Sequence, residues 1–232
     1  MNILVTGATK GIGKVIAENL TGEIFATGRN REVLSEYYKN YFVADLSNPY
    51  DLEALGDYIE ANSIDILINN AGAYIWQNVE KMSYNDINKI VSTNLTASLY
   101  LISRAVKNMK QKYFGRIVNI GSISGVMGES GASAYSASKS GLIGMSKALA
   151  LELAEFNITV NTINPGWVET ELGTESIEDS GFSRNEIIET IPQRRFVEPT
   201  EIANLVKYLI SEEAKGITGQ SINLCAGLSV GY

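Results

Sequence analysis

Histidine is missing from all 232 residues of the chain. Its absence removes the side chain most often used to move protons near neutral pH, and the commonest zinc ligand. Serine-histidine-aspartate hydrolysis and most zinc chemistry are therefore excluded, and no metal site is expected. Any acid-base work falls to a group whose pKa is moved by its surroundings. Cysteine is nearly missing: Cys225 stands alone, cannot close an internal disulfide, and has no neighbour that favours its thiolate, so it reads as a small buried side chain. Long apolar runs are absent as well, since charges or glycines interrupt each one before the ~18 residues needed to cross a bilayer. The opening MNILVTGATKG enters a strand-like run without the charged segment and long apolar core of a secretory signal. A soluble, cytoplasmic protein with no membrane partner is expected. Positive charge is also in deficit, with 19 Lys and Arg against 26 Asp and Glu for a net charge of −7. No basic cluster is placed to follow a phosphate backbone, so nucleic acid is not an expected partner.

What is present is material for one substantial core: 45% of residues are hydrophobic and 19% charged, which points to a single domain over residues 1–232. Short Ile- and Val-rich runs, NILVT, EIFAT, YFVA, IDILIN, GRIVNI, ITVNTI and SINLC, are mostly apolar throughout, as suits strands covered on both faces. Between them, helical periodicity covers residues 11–20, 49–61, 83–111, 133–156 and 199–210, the last opening with Pro199 and Thr200 as start signals. Strand alternating with helix across short loops predicts an α/β fold: a single-domain, doubly wound parallel sheet of about seven strands with helices on both faces. Ligands of such sheets bind at the carboxyl ends of the strands. One long irregular stretch, about residues 167–197, reads as a lid over such a site, or as a surface insertion containing a short helix.

Between the first strand and first helix, TGATKGIG places Gly7, Gly11 and Gly13, with Thr9, Lys10 and Ile12 among them. Glycines there allow a tight turn and let backbone N–H groups approach a pyrophosphate at the helix N-terminus. The spacing differs from GxGxxG, and a purely structural turn is the alternative. The second strand ends in Gly28 and Arg29. An acidic residue there would take a ribose 2′-hydroxyl, whereas a cation suits a 2′-phosphate, so Arg29, with Lys10 adding charge, favours NADP(H) over NAD(H).

Tyr135 and Lys139 stand at i and i+4 of a predicted helix, roughly 5–6 Å apart on one face. A phenol titrates near 10 when free, and a neighbouring ammonium would lower that value, making tyrosine a substitute for the missing histidine. Taken alone, the pair is an ordinary helix-surface contact.

Six motifs in order change that reading: TGATKGIG (Thr6 to Gly13), NNAG (Asn69 to Gly72), Asn94 in VSTNLTA, Ser122 in NIGSISG, YSASK (Tyr135 to Lys139) and NPGWVET (Asn164 to Thr170). Over essentially its whole length the chain resembles the short-chain dehydrogenase/reductase family. The resemblance implies a Rossmann-type fold with a seven-stranded sheet, and hydride transfer between a nicotinamide and a carbonyl or alcohol. It implies Tyr135 as general acid of reduction, Ser122 as hydrogen-bond partner of the carbonyl oxygen, and Lys139 as the group that lowers the tyrosine pKa and holds the ribose. Asn94 would position a water in the proton path, or cap backbone inside a buried helix. Asp45 and Leu46 would border the adenine, and Asn70, Ala71 and Gly72 would pass the ribose, with NNAG also tying strands together. Pro165, Gly166, Val168 and Thr170 would face the nicotinamide. A homotetramer or homodimer is implied, with helices 83–111 and 133–156 packing against symmetry mates.

Within the family, GRIVNIGSISG, ASAYSASKSGLIGMSKALALELA and ITVNTINPGWVETEL are most similar to 3-oxoacyl-(acyl-carrier-protein) reductases, which reduce a β-keto thioester with NADPH. The chain departs from them at Tyr113 and Phe156, where the bacterial enzymes carry arginines that dock the acidic carrier protein. Lys107, Lys110, Lys112 and Arg116 are a possible local substitute. The ending INLCAGLSVGY also departs, with Cys225 and Ala226 in place of a glycine pair. Three functions stand: an NADPH-dependent β-ketoacyl reductase, a reductase or dehydrogenase of another small ketone or alcohol such as a sugar or polyketide fragment, and a non-catalytic nucleotide-binding scaffold.

Overall fold

The structure is a computed structural model that describes residues 1–171, 173, 174, 177 and 181–230. Seven strands form one sheet: β1 (Asn2–Thr6), β2 (Glu23–Gly28), β3 (Asn40–Val43), β4 (Ile66–Asn69), β5 (Gly115–Ile120), β6 (Ile158–Pro165) and β7 (Ser221–Leu224). Their order is β3-β2-β1-β4-β5-β6-β7, with every neighbouring pair parallel. The order reverses between β1 and β4, and that split opens a crevice at the carboxyl ends of the strands.

Successive strand residues point to opposite faces and so feed two separate cores. Ile3, Val5, Ile66, Ile68, Val118 and Ile163 pack with α1 (Gly11–Asn19), α2 (Arg31–Tyr37) and a late helix over Pro199–Leu209. Leu4, Leu67, Ile117 and Val160 pack on the other side with α3 (Pro49–Ala61), α5 (Ala97–Lys112) and α7 (Ser133–Leu153). Each fully buried Leu or Ile contributes ~1.5–3 kcal/mol over exposure. No helix among the described residues is long and apolar enough to cross a membrane.

A buried polar ladder fixes how α7 sits on this sheet. Asn69 Nδ2 donates to Asn119 Oδ1 (2.8 Å), Asn119 Nδ2 donates to Ser146 Oγ (2.8 Å), and Ser146 Oγ meets Thr162 Oγ1 at 2.8 Å. The ladder joins β4, β5, α7 and β6, and Ser146 lies two turns beyond Lys139 on the same helix face. Sliding α7 along the sheet would orphan each of these groups in the interior.

The predicted helix over 83–111 is a composite. Helix α4 (Tyr84–Val91) runs into a π-helical turn (Ser92–Thr96), then into α5. Two short helices escaped the sequence pattern, α2 and α6 (Ser124–Met127). The long stretch after β6 contains α8 (Arg184–Thr190), followed by α9, the helix over Pro199–Leu209. Its two ends are tied together by a Val168–Val197 bridge, with Val197 N–H donating to the Trp167 carbonyl at 2.8 Å. Ile177, Ile187, Ile191 and Phe196 form a small core of its own beside Trp167 and Leu228. This internal packing is more than a tolerated loop requires.

Candidate active site

A cleft of roughly 580 Å³ runs along the carboxyl ends of the strands, from Arg29, Asp45 and Leu46 at one end to Glu129, Tyr135 and Trp167 at the other. Gly7, Thr9, Lys10, Gly11, Ile12, Asn70, Ala71, Gly72, Lys139, Pro165, Gly166, Val168 and Thr170 line it as well. Of the residues expected at the cofactor, Gly13 alone does not line the cleft. Its reason is packing: a Cβ there would stand 2.3 Å from the Gly7 carbonyl oxygen and 2.4 Å from Asn70 Nδ2. At Gly7, with φ +67°, a Cβ would meet Ala71 Cα at 2.9 Å.

The NNAG segment is bound to that turn. Thr6 Oγ1 accepts from the N–H groups of both Asn70 and Ala71 at 2.9 Å, and Asn70 Nδ2 donates to the Thr6 carbonyl at 2.9 Å. Asn70 therefore holds the two sides of the crevice together. Helix α1 begins at Gly11 with no side-chain cap and no acidic residue in its first turn. Its N-terminal donors and partial positive charge are left for an anion. The close backbone approach, the uncapped helix and the length of the cleft fit a dinucleotide with its pyrophosphate at α1.

At the far end Arg29 is exposed at the rim. Asp45 is held below the ordinary carboxylate range, chiefly by the Ser47 hydroxyl (2.7 Å), with Arg29 and Lys89 adding to the effect. Lys89, on α4, also lines the cleft and was not singled out in the sequence, where it is one exposed lysine among many. Lys10 bridges to Glu171 at 2.8 Å, across the cleft mouth.

The chemical end is built from β5 and α7. Ser122 lies two residues past the end of β5, its hydroxyl donating to Ser124 Oγ at 3.1 Å, and Tyr135 lies in the first turn of α7. Lys139, one turn on, is 4% exposed and donates from Nζ to the Ile120 carbonyl at 2.8 Å. Its ammonium lies 5.5 Å from the centre of the Tyr135 ring. Burial lowers the Lys139 pKa to about 8. The tyrosine departs from expectation. Burial raises its pKa to about 12, the Ser122 hydrogen bond opposes that rise, and the Glu129 charge adds to it. The Lys139 ammonium is bonded to a backbone carbonyl, and a carboxylate invisible to helix periodicity stands nearby.

Asn94 takes the capping alternative. In the π turn it is 1% exposed, accepts from Ala73 N–H at 2.7 Å, and donates to the Ala73 carbonyl (2.9 Å) and to Ser138 Oγ (3.0 Å). Both amide donors are engaged, so Asn94 ties the segment after β4 to α7. The site also contains Tyr74, Ser124 and Glu129, which no motif marked. Tyr74 packs edge-on against Tyr135 with ring centres 5.0 Å apart.

A phosphate-accepting turn at a sheet switch point, facing a serine-tyrosine-lysine set, defines a dinucleotide-dependent oxidoreductase. Comparison with known proteins agrees. Residues 7–229 match the family model described as enoyl-(acyl carrier protein) reductase. The 3-oxoacyl-(acyl-carrier-protein) reductase FabG of Escherichia coli strain K12 is 36% identical, covering 97% of this chain and 96% of the relative. Nodulation protein G of Rhizobium sp. strain N33 is 39% identical, covering 98% and 96%. A crystal structure of an actinorhodin polyketide ketoreductase variant with NADPH superposes with a TM-score of 0.93 at 35% identity, covering 99% of this chain and 97% of that one. The chain belongs to the short-chain dehydrogenase/reductase family.

Of the four basic residues offered as a substitute carrier-docking surface, Lys107, Lys110 and Lys112 reach the surface and Arg116 does not. Arg116 is fully buried and pairs with Glu212 at 3.3 Å. Lys107 pairs with Glu60, Lys110 with Glu152, and Lys112 with Asp65. Tyr113 and Phe156 instead form an aromatic pair, ring centres 5.9 Å apart, with the Lys110 ammonium 4.7 Å from the Phe156 ring.

Proposed function

We propose that the protein reduces a ketone carbonyl to a secondary alcohol with NADPH, and that its substrate is a 3-oxoacyl thioester. The observation that carries this reading is that Tyr135 and Lys139, one helical turn apart on α7, line the same cleft as the glycine turn. When bound, reduced nicotinamide supplies the hydride. The chain's own groups handle the proton. With its pKa about 12, Tyr135 is fully protonated at neutral pH and donates to the carbonyl oxygen as negative charge develops there. Ser122 stabilises the same oxygen by hydrogen bonding. Lys139 commits one N–H to Ile120, leaving two for ribose hydroxyls and the phenolate that forms. Asn94 acts through Ala73 and Ser138 as a positioning residue.

NADPH is favoured over NADH by Arg29 at the rim. Lys10 joins it because an exposed ion pair such as Lys10–Glu171 is worth only ~0–1 kcal/mol and yields readily to a phosphate. The stretch 167–197 acts as the lid; its residues 172, 175, 176 and 178–180 lie outside the described structure. The names of the curated relatives give an acyl carrier protein as partner, and here the Tyr113–Phe156 pair would meet it. The likeness to the polyketide ketoreductase favours a second reading, reduction of a polyketide fragment or another small ketone by the same steps. Exposed Leu99 on α5 and Leu151 on α7, 46% and 86% accessible, support a homo-oligomer through these helices.

The test follows NADPH or NADH absorbance with acetoacetyl thioesters of coenzyme A and carrier protein, simple diketones and keto-sugars. The proposal expects kcat/KM for a thioester at least tenfold above the other ketones, and NADPH preferred. Turnover of free ketones with none of thioesters selects the second reading. No turnover of any ketone contradicts both.

A further inference from the structure

Glu129 is a carboxylate set into the substrate end of the cleft, in the turn between α6 and α7. Its Oε1 accepts from the Tyr74 hydroxyl (2.8 Å) and its Oε2 from the Ser124 hydroxyl (2.6 Å). Its own N–H donates to Ser136 Oγ at 3.1 Å. Tyr74 rests edge-on against the Tyr135 ring, and Ser124 N–H donates to Ser122 Oγ at 3.1 Å. The carboxylate is therefore anchored to partners on either side of the reacting groups. Among the described residues no lysine or arginine forms a salt bridge with it. An ionised carboxylate offers about four acceptor positions, of which Tyr74 and Ser124 take two. Its charge is also felt at the Tyr135 hydroxyl, which it helps to keep protonated. Across the cleft stand the apolar groups of Met127, Trp167 and Leu228.

We infer that Glu129 reads the substrate: it accepts a hydrogen bond from a hydroxyl carried close to the reacting carbonyl, and it repels ketones that carry a carboxylate there. The protein thus prefers hydroxylated ketones over apolar or anionic ones of equal size, with the apolar wall taking the remainder of the molecule. The inference rests on reduction taking place at Tyr135, and it holds whether or not the ketone is a thioester. An apolar ketone of the same shape leaves the desolvated carboxylate without its partner, so discrimination of tenfold or more follows.

The experiment measures kcat/KM with NADPH for 1-hydroxy-2-butanone, 3-pentanone and 2-oxobutanoate, in the unchanged protein, in Glu129→Gln and in Tyr74→Phe. NADPH affinity by fluorescence and melting temperature are recorded for each. The expected result is a hydroxyketone-to-ketone ratio of at least 10 in the unchanged protein, reduced about tenfold in Glu129→Gln mainly through KM, with 2-oxobutanoate improved in that variant. Tyr74→Phe retains the carboxylate and keeps the preference, which separates loss of charge from loss of local packing. Equal ratios in the unchanged protein and Glu129→Gln overturn the inference and leave ketone reduction standing. If all three ketones and the acetoacetyl thioesters go unreduced by the unchanged protein while NADPH binds, the reductase reading falls and takes this inference with it.

Discussion

Lys139 opposes the fold that holds it. At 4% exposed, its pKa falls to about 8, against about 10.4 in an unfolded chain. Below pH 8 the native protein must keep a buried ammonium charged, a penalty on the order of 3 kcal/mol by linkage. Lys139→Met removes that penalty while losing the bond to the Ile120 carbonyl, worth ~1 kcal/mol. The variant is expected to be ~1–2 kcal/mol more stable at pH 7 by urea unfolding, a common trade of stability against function. Between about pH 8 and 10.4 the unfolded lysine holds its proton where the native one does not, so unchanged protein gains stability as pH rises. The gap should close by pH 10; a Met variant less stable at pH 7 contradicts this account. The Tyr135–Lys139 pair was legible from its i, i+4 spacing. The direction of the tyrosine's pKa was not, because spacing reveals neither the Ile120 carbonyl that takes the ammonium nor Glu129 approaching from another segment.

The element that most shapes the site is the π turn between α4 and α5. Ala97 N–H donates to the Ser92 carbonyl, and the wider turn carries Asn94 inward to clamp Ala73. Asn94→Ala leaves the Ala73 backbone groups and Ser138 without these partners, with an expected loss of ~2–4 kcal/mol in urea unfolding and weakened NADPH binding. A loss under about 0.5 kcal/mol would show that the clamp is dispensable. Strand limits were readable because each run is short, rich in Ile and Val and mostly apolar: GRIVNI is β5 residue for residue, and ITVNTI extends only through Asn164 and Pro165. The π turn was not readable, since apolar periodicity continues across it and the extra residue is stabilised by contacts with Ala73 and α7. Helix α6, four residues long, is too short for any periodicity to register.

At the scale of the whole molecule, seven apolar runs in alternation with helices implied a parallel sheet, and the switch between β1 and β4 then dictated where the cleft opens. The glycine turn, NNAG, Ser122, YSASK and NPGWVET gather there because each sits just past the carboxyl end of a strand or at the start of a following helix, while Asn94 reaches the segment after β4 from the π turn. Two features lay beyond sequence: the small core around Ile177, Ile187, Ile191 and Phe196 in the stretch after β6, and the pairing of Lys107, Lys110 and Lys112 with carboxylates. Both depend on which distant segments meet, and local pattern does not report that.

The account as a whole depends on Tyr135 giving its proton to the substrate oxygen, and Tyr135→Phe removes that proton with little else. NADPH affinity and single-turnover reduction of acetoacetyl coenzyme A, measured side by side in the variant and the unchanged protein, should show affinity kept within about threefold and the reduction rate lowered by ~10³-fold or more. A Tyr135→Phe protein that reduces the thioester within tenfold of the normal rate would contradict it.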